Sequence, residues 1–174
     1  MNDQPSTKDI KLHKFTWNDL ENVTTCINIA YSETMAVFKN VHIRRTSKSQ
    51  LEHIFATEKV ELWGYKTLAN EVVAAVMIRE IDEKTGAIEL LSVLPEYMGL
   101  GLSSSLLRNC EYVLHEAGKE EVQLQVYLPR GYSKDDMKRL GYKIVREEPW
   151  RELEDKLKPS SIDSWVMLTV SKEI

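Results

Sequence analysis

Residues 87–117 read AIELLSVLPEYMGLGLSSSLLRNCEYVLHEA, and the rest of the chain is organised around them. From Ala87 to Leu94 the stretch is almost continuously apolar and Pro95 ends it, the pattern of a buried strand. Leu102, Leu106, Cys110, Val113, Leu114 and Ala117 then recur at helical spacing, and Gly118 can close the helix. Between the two lies a short turn with Gly99 and Gly101, followed by Ser103, Ser104 and Ser105. A strand turning through glycine into a helix leaves unpaired N–H groups at the helix start, with the positive end of the helix dipole behind them. Such a turn can cradle an anion, phosphate above all. It can equally be a plain tight connection, with the glycines for geometry and Ser103 as an N-cap.

The chain has 174 residues, 43% of them hydrophobic, which suits a single domain over residues 1–174 with a sizeable core. No apolar run reaches the length of a membrane span, and the polar start MNDQPSTKD does not read as a signal peptide. A net charge of −4 without a basic block argues against nucleic acid as a partner. Cys26 and Cys110 are too few for a disulfide framework and sit on apolar helix faces, as reduced core residues do. The four histidines lack ligand spacing, so no metal is inferred. A cytoplasmic protein that does not bind membranes is the expectation.

Working outward, Ile10 to Thr16 reads as a first strand. Thr16 with Asp19 opens a helix whose inner face holds Leu20, Val23, Ile27 and Ala30. After a bend over residues 32–40, Ser47 with Gln50 opens a second, with Leu51, Ile54 and Phe55 inward. Val60 to Leu68 and Val72 to Ile81 read as antiparallel strands joined at Ala69-Asn70-Glu71. Beyond Gly118, Val122, Leu124, Val126 and Leu128 alternate with Gln123, Gln125 and Tyr127 until Pro129. A short helix over 131–140, a strand from Tyr142 to Glu147, an amphipathic insert marked by Trp150, Leu153 and Leu157, and a strand from Trp165 to Val170 complete the order. The strand–helix–strand crossover from 87 to 128 should be parallel and right-handed.

Two motifs carry a resemblance. The run L-S-V-L-P-E-Y-M-G-L-G-L-S-S-S-L-L resembles the acyl-coenzyme A loop of the GNAT superfamily of N-acetyltransferases. In the loop's usual frame of Gln or Arg, two residues, Gly, one residue, Gly or Ala, Gly101 matches, whereas Met98 and Ser103 depart. The segment from Leu124 to Gly141-Tyr142 keeps the spacing of the family's segment after the fifth strand, with Arg130, Ser133 and Met137 where Asn, Ala and Tyr are common. The order of elements is similar over essentially the whole chain. The resemblance implies an α/β (α+β) GNAT fold: a central, mostly antiparallel mixed sheet with one splayed parallel pair and flanking helices.

It also implies transfer of an acetyl group from acetyl-CoA to a primary amine of a small molecule or a peptide. Leu91, Ser92 and Val93 would lie along the pantetheine arm, a main-chain N–H near Val93 polarising the thioester carbonyl. Gly99, Leu100, Gly101, Leu102, Ser103 and Ser104 would wrap the pyrophosphate through backbone donors. Glu89 is the one charge in the central strand, and alternation puts it on a face with Ala87, Leu91 and Val93. Some family members carry a catalytic Glu two residues earlier, where this chain has Ala87. Burial would raise the pKa of Glu89 and suit it to be the general base; the alternative is a carboxylate paired with a nearby Lys or Arg. Gln125 stands where the ribosomal-protein acetyltransferases have Glu. Met137, at the usual Tyr position, cannot donate a proton; Tyr132 or Ser133 could substitute as the acid, directly or through water, or Tyr132 could be a surface-packed turn residue. Substrate walls would come from residues 35–48 and 147–164. There Arg44, Arg45 and Lys48 could bind a carboxylate or phosphate, or form a solvated helix start. Two other functions stay open: a catalytically weak, regulatory coenzyme A-binding module, and a ribosomal-protein or N-terminal acetyltransferase. Either the monomer or a homodimer is compatible with the sequence.

Overall fold

The computed structural model describes residues 7–32, 36, 44–128, 132–149 and 166–174. Arg130, the insert with Trp150, Leu153 and Leu157, and most of the two expected substrate walls lie outside the described residues. The elements are β1 (Ile10–Lys14), α1 (Leu20–Ala30), α2 (Lys48–Thr57), β2 (Val60–Thr67), β3 (Val72–Glu80) and β4 (Thr85–Val93). They continue with α3 (Leu102–Glu116), β5 (Glu121–Leu128), α4 (Lys134–Arg139), β6 (Lys143–Pro149) and β7 (Val166–Glu173). One mixed sheet in the order β1-β2-β3-β4-β5-β7-β6 holds the seven strands of the described residues. Only β4 and β5 run parallel, as expected for the crossover through α3.

Local chemistry accounts for the helix starts. Capping boxes form at Thr16 with Asp19, ahead of α1, and at Ser47 with Gln50, opening α2. A third, Ser133 with Asp136, opens α4. Helices cover both sides of the sheet, so β3 is buried from Val72 to Ile78 and reads VVAAVMI without alternation. α1 and α2 lie on one face; Leu20, Val23, Cys26 and Ile27 fill the space beneath α1. α3 lies on the other, with Leu102, Leu106, Leu107, Cys110 and Leu114 inward. It packs closely because residue 86 is glycine: a Cβ there would come within 2.5 Å of Leu114. No described helix is long and apolar enough to cross a membrane.

Two irregularities position the site. The β4–β5 ladder runs from Thr85↔Glu121 to Ile88↔Leu124 and stops, although both strands continue. β4 goes on along β3 and β5 along β7, so a cleft opens between them. Just beyond the last pair, Leu90 adopts φ 56°, a left-handed conformation that costs a non-glycine residue roughly 1–2 kcal/mol. There Leu90 and Leu91 together oppose Val76, since Glu89 pairs with Met77 and Ser92 with Ala75. The bulge corrects the face assignment made from strict alternation. Ser92 joins Ala87 and Glu89 on the α1–α2 side, while Val93, opposite Ala74, turns to the α3 side.

Candidate active site

The turn from β4 into α3 is built for exposed backbone donors. Gly99 and Gly101 have φ of 79° and 77°, values that favour glycine. Gly101 is itself the N-cap of α3 and carries no capping side chain, so Ser103 is not the cap. The helix's first internal bond runs from Ser105 N–H to the Gly101 carbonyl at 3.0 Å. The N–H groups of Leu102, Ser103 and Ser104 therefore have no acceptor within the helix. Met98, at the family's polar position, is exposed.

The three hydroxyls of this turn have different partners. Ser103 Oγ accepts from Tyr132 Oη at 2.7 Å, and Ser105 Oγ pairs with Tyr65 Oη at 2.7 Å. Ser104 makes no side-chain hydrogen bond among the described residues. Because Tyr132 follows β5, its bond to Ser103 ties the β5 side of the cleft to the start of α3.

On the other side of the cleft, Leu94 N–H donates to the Val73 carbonyl at 2.9 Å. Leu94 and Val73 thus form a hydrogen-bonded antiparallel pair. The adjacent pair, Val93 and Ala74, is then of the non-bonded kind, so the Val93 main-chain N–H and C=O point away from β3 toward the cleft. Leu91 is half-buried, and Ser92 is buried with its hydroxyl donating to the Leu90 carbonyl at 2.7 Å. The uncapped α3 start and the outward Val93 main chain suit an acyl-coenzyme A. The first would hold phosphates, the second an acyl carbonyl.

The cleft opens into a cavity of about 710 Å³ on the α1–α2 face of the sheet. Leu90 and Leu91 line it from β4, and Leu124, Gln125 and Tyr127 from β5. Glu89 lies in its floor but is not buried as expected: its side chain is 38% exposed. It accepts from Arg79 Nη2 at 2.9 Å, while Arg79 Nη1 reaches Glu58 at 2.6 Å. Tyr132 does not line this cavity, so the two candidate proton-transfer residues occupy different parts of the site.

Of the basic cluster at the second helix, only Arg45 lines the cavity. Arg44 is exposed, and Lys48 pairs with Glu21 at 3.3 Å and Glu52 at 4.0 Å on the surface. Met137 is fully buried in the core. Arg79, Tyr31, His53, Arg146 and Thr169 also line the cavity and were not expected there. The one local signal for such a lining was the polar alternation of Gln123, Gln125 and Tyr127 in a strand whose sheet is covered on both faces. Among the described residues no group of three His, Cys, Asp or Glu could hold a metal ion.

Comparison with known proteins agrees with this geometry. The sequence profile of the Acetyltransferase (GNAT) family matches residues 27–142. No curated protein sequence matches the chain. Among solved structures, the ribosomal-protein-S18-alanine N-acetyltransferase from Escherichia coli is similar, with a TM-score of 0.72 and 13% identity over 95% of this chain and 94% of that one. The PaiA N-acetyltransferase from Thermoplasma acidophilum in complex with coenzyme A has a TM-score of 0.67 and 16% identity, over 95% and 99% of the two chains. A GNAT family acetyltransferase from Elizabethkingia anophelis with acetyl-CoA bound has a TM-score of 0.62 and 14% identity, again over 95% and 99%. At such identities these likenesses establish the fold alone.

Proposed function

The chain belongs to the GNAT acetyltransferase family as an acetyl-CoA-dependent N-acetyltransferase, and we propose that its acceptor is a primary amine bound in the cavity beside Glu89. When bound, acetyl-CoA supplies the acetyl group as an activated thioester. The observation that carries the proposal is continuity. Residues on both sides of the β4–β5 divergence line the cavity, so an amine over Glu89 lies next to the cleft that would hold the thioester.

Each demand of the reaction has a candidate group in this chain. An amine with an ordinary pKa near 10 is protonated at neutral pH and must lose a proton. Glu89 Oε is assigned as the acceptor of that proton, directly or through one water, with Arg79 fixing the carboxylate's orientation. The outward N–H of Val93 is assigned to donate to the carbonyl oxygen where negative charge develops. Leu102, Ser103 and Ser104 would hold phosphate oxygens through their main-chain N–H groups, with the Gly99–Gly101 turn placing them. Tyr132 is assigned as the proton donor on the α3 side, where its hydroxyl already bonds Ser103.

An acceptor screen tests the proposal. Thiol release from acetyl-CoA is followed across amino acids, polyamines, aminoglycosides and peptides. The expected result is release that depends on a particular amine and yields its N-acetyl derivative. Coenzyme A binding without release for any amine would identify a regulatory binding module instead.

A further inference from the structure

We infer that the acceptor carries a carboxylate as well as its amine, and that Arg45 and Arg146 hold that carboxylate at the far end of the cavity from the cleft. The inference rests on the transfer reading above and names the class of acceptor. Charge among the described residues that line the cavity is unequal: Arg45, Arg79 and Arg146 stand against one carboxylate, Glu89. Arg79 is committed to both Glu58 and Glu89, and the three groups together keep one negative charge at that end. The charge left over is positive, on Arg45 and Arg146.

Among the described residues neither of these groups is firmly held by an anion. Arg146 Nε stands 3.5 Å from Glu148 Oε1, with both side chains more than a third exposed, a weak pair. Arg45 has no carboxylate partner among the described residues and lies over Tyr31, its guanidinium carbon 5.4 Å from the ring centroid. An aromatic face fixes the plane of a guanidinium; Tyr31 also takes a hydrogen bond from Arg45, and the fork's other N–H groups are left for a ligand.

Strand register supplies the direction. Ala87 sits beside Gln123, so two residues on Gln125 faces Glu89 across the opening cleft. Gln125 pairs with Thr169, and Thr169 with Arg146. Glu89, Gln125, Thr169 and Arg146 therefore form one row on one face of four strands. Ordinary strand spacing would set the ends of the row about 14 Å apart, and the opening between β4 and β5 adds to that. A cation at the Glu89 end and an anion at the Arg146 end suit a molecule charged oppositely at its two ends, with Arg45 reaching in from the helical side. Carboxylate fits better than phosphate. No lysine lines the cavity among the described residues, the nearby α2 N-terminus is already capped by Ser47 and Gln50, and the guanidinium fork matches a planar carboxylate.

The test compares amino acids with their own carboxamides, which lack the charge at the proposed contact. Thiol release should favour at least one acid over its amide by about tenfold or more in kcat/KM, the scale of one charge-assisted hydrogen bond. Arg45→Gln and Arg146→Gln should each raise KM for that acid by about 10- to 100-fold. KM for acetyl-CoA, KM for the amide and the melting temperature should stay the same. Equal efficiency for every acid and its amide overturns the inference, as does an acid preference that survives both substitutions. So does a tenfold preference for an aminoalkyl phosphate over the amino acids. Release with simple amines but no acid preference would refute the anion site and leave transfer standing. Should no amine give release, transfer fails, and calorimetry of acids against amides on the coenzyme A-saturated protein decides the anion site, equal affinities overturning it.

Discussion

Glu89 has two partners to serve, the Arg79 guanidinium that holds it and the amine assigned to it. The bond to Arg79 is 2.9 Å long, but both side chains are about a third exposed, so the pair contributes about 0–1 kcal/mol to stability. Glu89→Gln keeps the shape and removes the proton acceptor. Turnover at neutral pH should fall about 10²- to 10⁴-fold, the usual contribution of a general base. Coenzyme A affinity and melting temperature should hardly change. Activity should recover at high pH, where the amine gives up its proton to solvent. Wild-type turnover across the pH range in a stable Glu89→Gln protein would remove this residue from the mechanism. A large drop in melting temperature would instead make the Arg79 pair structural.

At the scale of elements, the turn from β4 into α3 carries the proposed phosphate contact. A Cβ at Gly101 would meet nothing within 4 Å, so the glycine is required by its φ of 77° and not by crowding. Gly101→Ala should cost about 1–2 kcal/mol of backbone conformational energy, a loss of about 2–8 °C in melting temperature for a domain of this size. The misplaced α3 N-terminus should also bind coenzyme A more weakly. Coenzyme A at a hundred times its dissociation constant stabilises a native-only binder by about 2.7 kcal/mol. That gain should shrink in Gly101→Ala at the same ligand concentration. An undiminished thermal shift would mean that the turn does not carry the phosphate contact.

At the scale of the whole molecule, the middle of the sheet is covered by α1 on one face and α3 on the other, and the two cysteines report on that cover. Cys26 belongs to α1 on one face and Cys110 to α3 on the other. Burial pushes each thiol up to about 12, with nearby Glu96 and Glu71 adding to the rise at Cys26 and Glu111 and Glu61 at Cys110. Because the thiolate is the reactive form, neither should react with an aromatic disulfide at pH 8 in the native protein. Both should react after unfolding in denaturant. One thiol titrating in the native state would show that its helix opens locally, well below the global unfolding energy.

The sequence by itself determined the order of the described elements, the parallel crossover and the glycine turn into α3. These follow from short-range physics: the apolar run from Ala87 to Leu94, the helical spacing from Leu102 to Leu114, and caps such as Thr16 with Asp19 that bond within a few residues. Boundaries moved only slightly; the short helix expected over 131–140, for example, occupies Lys134–Arg139. Tertiary structure alone decided what the site contains. Strict alternation put Glu89 and Val93 on one face, and the bulge at Leu90 separated them. The bulge follows from how β4 registers against β3 while leaving β5, which no local pattern encodes. Arg79 reaches Glu89 across ten residues, Tyr132 reaches Ser103 across twenty-nine, and Arg146 joins the row of Glu89 through two intervening strands. Which long side chains meet depends on strand order and register, and those are settled only when the whole sheet closes over its core.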